Sequence, residues 1–220
     1  MPDPNNSNDK PAILRAIEII LADPKVIRDT ALALLEEYKR RYTEDRKPEE
    51  IADLVADKII SNYSYFAAFA GGATALAGVI PGLGSVIAAF GGATADIALT
   101  MKYQIEMAMA IATVYGHDIT DDEEQRLCFL VAGLGVTAEA GKKGATAAST
   151  KAFVKMMQQY LKGATLQMVK EVFKKIGITF TRKAAEKAIP FGVGVIISFS
   201  ANKGLTWYVG IKAKAFFKIA

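Results

Sequence analysis

Residues 66–95 read FAAFAGGATALAGVIPGLGSVIAAFGGATA, thirty positions without a charge, dense in Gly and Ala and interrupted by Ile80-Pro81-Gly82-Leu83-Gly84. Proline removes a backbone donor and clashes with the turn before it, while glycine reaches left-handed dihedrals without steric cost. The stretch therefore predicts two helical arms around a tight corner. The upstream arm, Phe66 to Ile80, would be about 22 Å long at 1.5 Å per residue, against a bilayer core of about 30 Å. Neither arm spans a membrane alone. Two readings follow: a re-entrant or interfacial hairpin in a lipid leaflet, or an unusually apolar hairpin buried inside a helical domain.

The second arm meets no breaker before Tyr115-Gly116-His117-Asp118 and predicts one helix of about thirty residues. Along it Gly84, Ala88 and Gly92 recur every four positions, and Ala67, Gly71 and Ala75 repeat the spacing in the first arm. Such ridges let helices approach closely, as a glycine zipper within lipid, in a homo-oligomer, or between the two arms of one domain. Asp96, Thr100 and Gln104 continue the spacing and drift only about 80° around the helix. A carboxylate, a hydroxyl and an amide on one face of an apolar helix require partners, because an unpaired polar or charged group there is costly. Asn202 and Lys203, or Arg182 and Lys183, are the candidates. Asp96, Thr100, Gln104 and Asn202 are thus expected to form a polar network between hairpins, or to anchor a ligand.

A second corner, Ala188-Ile189-Pro190-Phe191-Gly192-Val193-Gly194, echoes the first, and Pro190 is expected to turn a second hairpin packed on it. After it a basic amphipathic helix carries Trp207 and Tyr208 near its start and Lys212, Lys214 and Lys218 along its length. Aromatic residues with lysines suit a headgroup interface, so these five are expected at a membrane surface. Upstream, Pro11, Asp23-Pro24 and Lys47-Pro48-Glu49-Glu50 are helix-start signals. They divide the chain into residues 1–62, three amphipathic helices, and 63–220, the domain of the two hairpins. In the second helix Val26, Thr30, Ala33, Leu34 and Tyr38 are read as one face. Thr120-Asp121-Asp122-Glu123 has capping-box spacing. Lysine stripes follow on two helical stretches, with Lys151, Lys155 and Lys162 on the first and Lys170 and Lys174 on the second.

With 220 residues and 51% hydrophobic content the chain can bury a substantial core. The net charge of +4 hides an asymmetry: up to Glu139 there are 12 Lys or Arg against 21 Asp or Glu, −9, and from Ala140 onward 15 against 2, +13. A basic half beside apolar hairpins fits an anionic phospholipid surface. The same asymmetry fits two halves that neutralise each other within one fold. Nucleic acid is not expected, because the lysines are dispersed and few Arg or aromatic residues accompany them. Met1 to Pro11 is polar and proline-rich without a secretory pattern, so the chain is expected in the cytoplasm. Cys128 lies in an apolar run and reads as a buried thiol.

No cofactor, metal or catalytic constellation is expected. The one histidine, His117, cannot build a His-based metal site or a Ser-His-Asp triad, and a carboxylate acting alone at Asp96 or Glu106 has no partner base. Gly82-Leu83-Gly84 lacks the third glycine of a dinucleotide loop, and Gly141-Lys142 is followed by Lys143 where a phosphate loop needs Ser or Thr.

Four motifs together give a resemblance: Ile80-Pro81-Gly82-Leu83-Gly84; Asp96-x-x-x-Thr100-x-x-x-Gln104; Tyr115-Gly116-His117-Asp118; and Ile189-Pro190-Phe191-Gly192 with Asn202 downstream. From about Ser64 to Phe217 the chain resembles the EcsC family, which takes its name from a protein encoded beside a bacterial ABC transporter. The resemblance implies a bacterial helical protein at the inner face of the cytoplasmic membrane, without an established enzymatic activity. Transporter partnership is not carried over, since no docking motif accompanies the match. The expectation is an all-α protein whose two hairpins pack around a long central helix and which binds or partly enters the cytoplasmic leaflet. The alternatives are a soluble helical protein with a closed apolar core or a lipid-binding pocket anchored by Asp96 and Gln104, and a glycine-zipper oligomer that permeabilises membranes.

Overall fold

The computed structural model describes residues 12–42, 46–140 and 199–219. Among them the fold is all-α, with eight helices numbered here in chain order: α1 Ala12–Ile20, α2 Pro24–Tyr42, α3 Pro48–Ala68, α4 Ala73–Leu76, α5 Leu83–Phe90, α6 Gly92–Val114, α7 Asp122–Ala140 and α8 Phe199–Phe217. Pro190 and its corner, Arg182, Lys183 and the two lysine-striped stretches lie outside the described residues.

α6 is the axis of the molecule. It packs against every other described helix and against the 3-10 turn Ala70–Gly72. From Gln104 to Val114 every residue is buried. A helix that is apolar on nearly every side has no wide solvent face to keep, and surrounding it removes those sides from water. One core cluster runs from Leu14 and Ile17 of α1 through Ile27, Val55, Ile60, Leu83 and Met107 to Val209, Phe216 and Phe217 of α8.

The local start signals act as read. Asp23 Oδ1 accepts the Lys25 N–H at 2.8 Å, and Pro24 opens α2. Pro48 opens α3 with Glu49 and Glu50 in its first turn, where carboxylates complement the helix dipole. Two local readings shift. The cap of α7 is Asp121 rather than Thr120, its Oδ1 accepting the N–H groups of Glu123 at 2.8 Å and Glu124 at 3.3 Å. On α2 the buried residues are Ile27, Ala31 and Leu35, one position on from the face read in the sequence, and Val26 is exposed.

The corner at Pro81 is present, but its arms are segmented. Upstream, α3 runs on to Ala68, the 3-10 turn follows, and α4 is a single turn, because Gly71 and Gly72 withdraw the side chains that favour continued helix. Downstream, the thirty-residue helix is divided at Gly91, whose φ of +82° separates α5 from α6. The ridge of Gly84, Ala88 and Gly92 is therefore split between two helices. Gly84 and Ala88 are exposed. A Cβ on Gly84 or Gly92 would find its nearest neighbour at 3.9 Å, an ordinary contact. Close approach falls at two other glycines. A Cβ on Gly82, at φ +80°, would sit 2.8 Å from the Ile19 carbonyl oxygen, and one on Gly210 would sit 2.7 Å from Ile60 Cγ1 and 3.0 Å from Met107 Sδ.

Candidate functional site

Three helices, α3, α6 and α8, meet along one seam, and their register follows from contacts along it. Lys203 Nζ lies 3.6 Å from the Tyr65 ring centroid, Gly210 abuts Ile60, Lys214 pairs with Asp57 and Lys218 with Asp53, so α3 and α8 are antiparallel. Gly210 also abuts Met107, and Gln104 meets Thr206, so α6 and α8 are parallel.

Of the polar residues read on α6, Gln104 reaches across this seam. Thr100 is buried and its hydroxyl donates to the Asp96 carbonyl at 3.0 Å, the usual bond back along a helix. Gln104 is buried and donates through Nε2 to Thr206 Oγ1 at 3.3 Å, joining α6 to α8. Asn202 is one turn from Thr206 and is buried, as is Ser64, one turn from Ile60. Gln104, Thr206 and Ser64 thus share a layer, and Thr100 and Asn202 lie in the next. Asp96 is half-buried.

A second polar cluster escaped the sequence reading. Lys102 Nζ donates to both carboxylate oxygens of Glu106 at 2.7 Å, with both residues buried. Glu106 Oε1 also accepts the N–H of Ala22, in the link between α1 and α2, at 2.8 Å. Tyr63 and Tyr103 flank it with ring centroids 6.5 Å apart. Burial, with the Glu106 charge second, pushes both phenols above their ordinary value. The signal was available: between Ile97 and Gly116, Lys102 and Glu106 are the only charges, four apart on an apolar helix.

The lysines expected at a membrane surface divide. Lys214 Nζ donates to Asp57 Oδ1 at 2.8 Å and to the Asp53 carbonyl at 3.1 Å, and Lys218 Nζ donates to Asp53 Oδ2 at 2.6 Å. Tyr115 donates to Asp53 Oδ1 at 2.6 Å. Burial alone would raise the Asp53 carboxyl, but the bonds from Lys218 and Tyr115 and the nearby ammonium charges outweigh it and hold it below its usual value. Here two lysines of the basic half pair with two carboxylates of the acidic half. Lys212 Nζ lies 5.7 Å from the half-buried Tyr208 ring.

The Tyr115-Gly116-His117-Asp118 motif is a structural corner. Gly116, at φ +94°, and His117 donate to the Thr113 and Ala112 carbonyls in the two-bond pattern that closes a helix on a left-handed residue. His117 Nδ1 lies 3.1 Å from Glu124 Oε2, its ring stacks edge-on with Phe217, and Asp118 Oδ1 accepts from Thr120. Among the described residues no group of three or more His, Cys, Asp or Glu could hold a metal ion. Cys128 is buried, and burial pushes its thiol well above the ordinary value.

Large apolar side chains are exposed at the end of α3, just after it and before the Pro81 corner: Phe66 is 51% exposed, Phe69 61% and Val79 75%, and Tyr65 and Trp207 are exposed as well. No described helix is long and apolar enough to cross a membrane.

A family model described as the EcsC protein family matches residues 12–219, beginning well before the motifs at Pro81. No curated protein matches, and no solved structure matches.

Proposed function

The chain belongs to the EcsC family, and from that premise we propose that it is a non-enzymatic protein that binds the cytoplasmic leaflet through the aromatic and apolar end of α3 and the corner at Pro81. The observation that carries this reading is the exposure of Phe66, Phe69 and Val79 within a stretch of thirty uncharged residues. Large apolar side chains left exposed close together along the chain are candidates for an interaction surface, and Trp207 with Tyr65 suits the headgroup level of a bilayer.

Magnitude favours a peripheral contact. Complete burial of a large apolar side chain is worth roughly 1.5–3 kcal/mol, so three that are half to three-quarters exposed supply about 4 kcal/mol together. That corresponds to about millimolar affinity, and lysines near anionic headgroups add about 1 kcal/mol each. Lys214 and Lys218 are held by α3 carboxylates, so neutralising Lys212, Lys214 and Lys218 together would disturb the fold as well as any recruitment. The apolar end is the cleaner target. Permeabilisation through a glycine zipper loses its support, because Gly84 and Gly92 lie on different helices.

The test is flotation of the full chain, without detergent, on phosphatidylcholine vesicles and on vesicles containing phosphatidylglycerol, at low and high salt. Binding to both that survives salt, and is lost in Phe69→Ser/Val79→Ser with the helical signal intact, supports apolar docking. A monodisperse protein that floats with neither vesicle sinks the reading.

A further inference from the structure

Asn202 Oδ1 and Ser64 Oγ are enclosed in the α3–α6–α8 seam without a hydrogen-bond partner among the described residues, on residues that are 2% and 1% exposed. The register places Ser64 level with Gln104 and Thr206, and Asn202 one turn along, level with Thr100. Buried polar atoms with no partner are costly, and nearly all in native structures are met by protein or by an ordered small molecule.

The seam's chemistry defines what fits. Asn202 Oδ1 only accepts, so it lacks a donor. The Thr100 hydroxyl has given its proton to the Asp96 carbonyl and keeps acceptor capacity, while Thr206 Oγ1 accepts from Gln104 and keeps a proton to give. Ser64 can do either. A group that donates and accepts at once completes this set, and none of Gln104, Thr206, Ser64, Thr100 and Asn202 carries a formal charge to attract an ion. We propose that the seam binds one small hydroxylic ligand through Asn202 and Ser64, with Thr100 and Thr206 beside them. Its source is either water or the glycerol hydroxyl of a lipid headgroup; the second source rests on the membrane reading, and the first stands without it.

The test uses the full chain in nuclear magnetic resonance. Cross-relaxation from the Asn202 side-chain amide to the water resonance identifies water, and its replacement by glycerol protons in dihexanoyl phosphatidylglycerol micelles identifies the headgroup. Absence of both overturns the proposal. In parallel, Asn202→Leu and Ser64→Ala are each expected to lower the melting temperature by about 3 °C or more. The double variant should lose less than the two drops added together, because both residues hold the same molecule. A melting temperature for Asn202→Leu at or above that of the parent would show that its oxygen had been an orphan, and would equally overturn the proposal. Failure of vesicle binding alone removes the headgroup source and leaves the water result intact.

Discussion

Glu106→Gln tests whether the buried pair on α6 is held together by its charge. The substitution keeps the shape and one carbonyl oxygen for the Ala22 N–H, but leaves the Lys102 ammonium, 11% exposed as a side chain, without its countercharge. Removing one partner of a buried ion pair typically costs about 3–5 kcal/mol. In a chain of this size each kcal/mol corresponds to about 2–4 °C, so the melting temperature should fall by roughly 10 °C. Adding Lys102→Met should recover most of the loss, because a well-packed neutral pair replaces buried charges at little net cost and the Gln carbonyl still accepts from Ala22. Glu106→Leu with Lys102→Met should recover less, since it strands that N–H, at about 1–3 kcal/mol. Differential scanning calorimetry of the four proteins decides. A fall under about 2 °C for Glu106→Gln, less than 1 kcal/mol, would show the ammonium reaching water, and the reasoning would be wrong.

Gly210→Ala places a methyl group within 3.0 Å of Ile60 and Met107. It should cost about 1–3 kcal/mol by urea unfolding, and the same substitution should cost less in an Ile60→Ala background, which removes both Cγ atoms it meets. The Asp53 carboxyl is held below its usual value of 3.8, so its contribution is present above that value and lost as pH falls through the folded one. Asp53→Asn should therefore flatten the acid limb of the stability profile. Lys218 is raised above 10.5, chiefly by its bond to Asp53, and Tyr115 above 10.0, by burial and then by that carboxylate. Stability should accordingly fall as pH rises above about 10, and the same variant should soften that fall as well.

What was legible in the sequence was local. Asp23-Pro24 and Lys47-Pro48 mark helix starts because cap and proline act within one turn, and Pro81 marks a corner for the same reason. The absence of a breaker before Tyr115 announced a long central helix, although Gly91 shortened it, since glycine in a helical run reads alike whether it continues or breaks the run. Partnerships were less legible. The pairing of Gln104 with Thr206, and of Asp53 and Asp57 with Lys218 and Lys214, depends on the register of helices far apart in the chain, which no spacing rule supplies. The rotated face of α2 has a similar origin, because Val26 and Ile27 are equally apolar and only the neighbouring helices choose between them.

The parallel course of α6 and α8 also bears on how the protein is made. Helices side by side in the same direction need a long return path, and here Val114 and Phe217 are separated by about a hundred residues. At a synthesis rate of about 5–20 residues per second, α6 waits roughly 5–20 seconds before its neighbour exists. During that interval Ile60, Met107 and the amide of Gln104 lack the α8 contacts that Gly210 and Thr206 later supply. The nascent chain has a period of vulnerability set by its own topology, and a chaperone that shields this groove would act in those seconds.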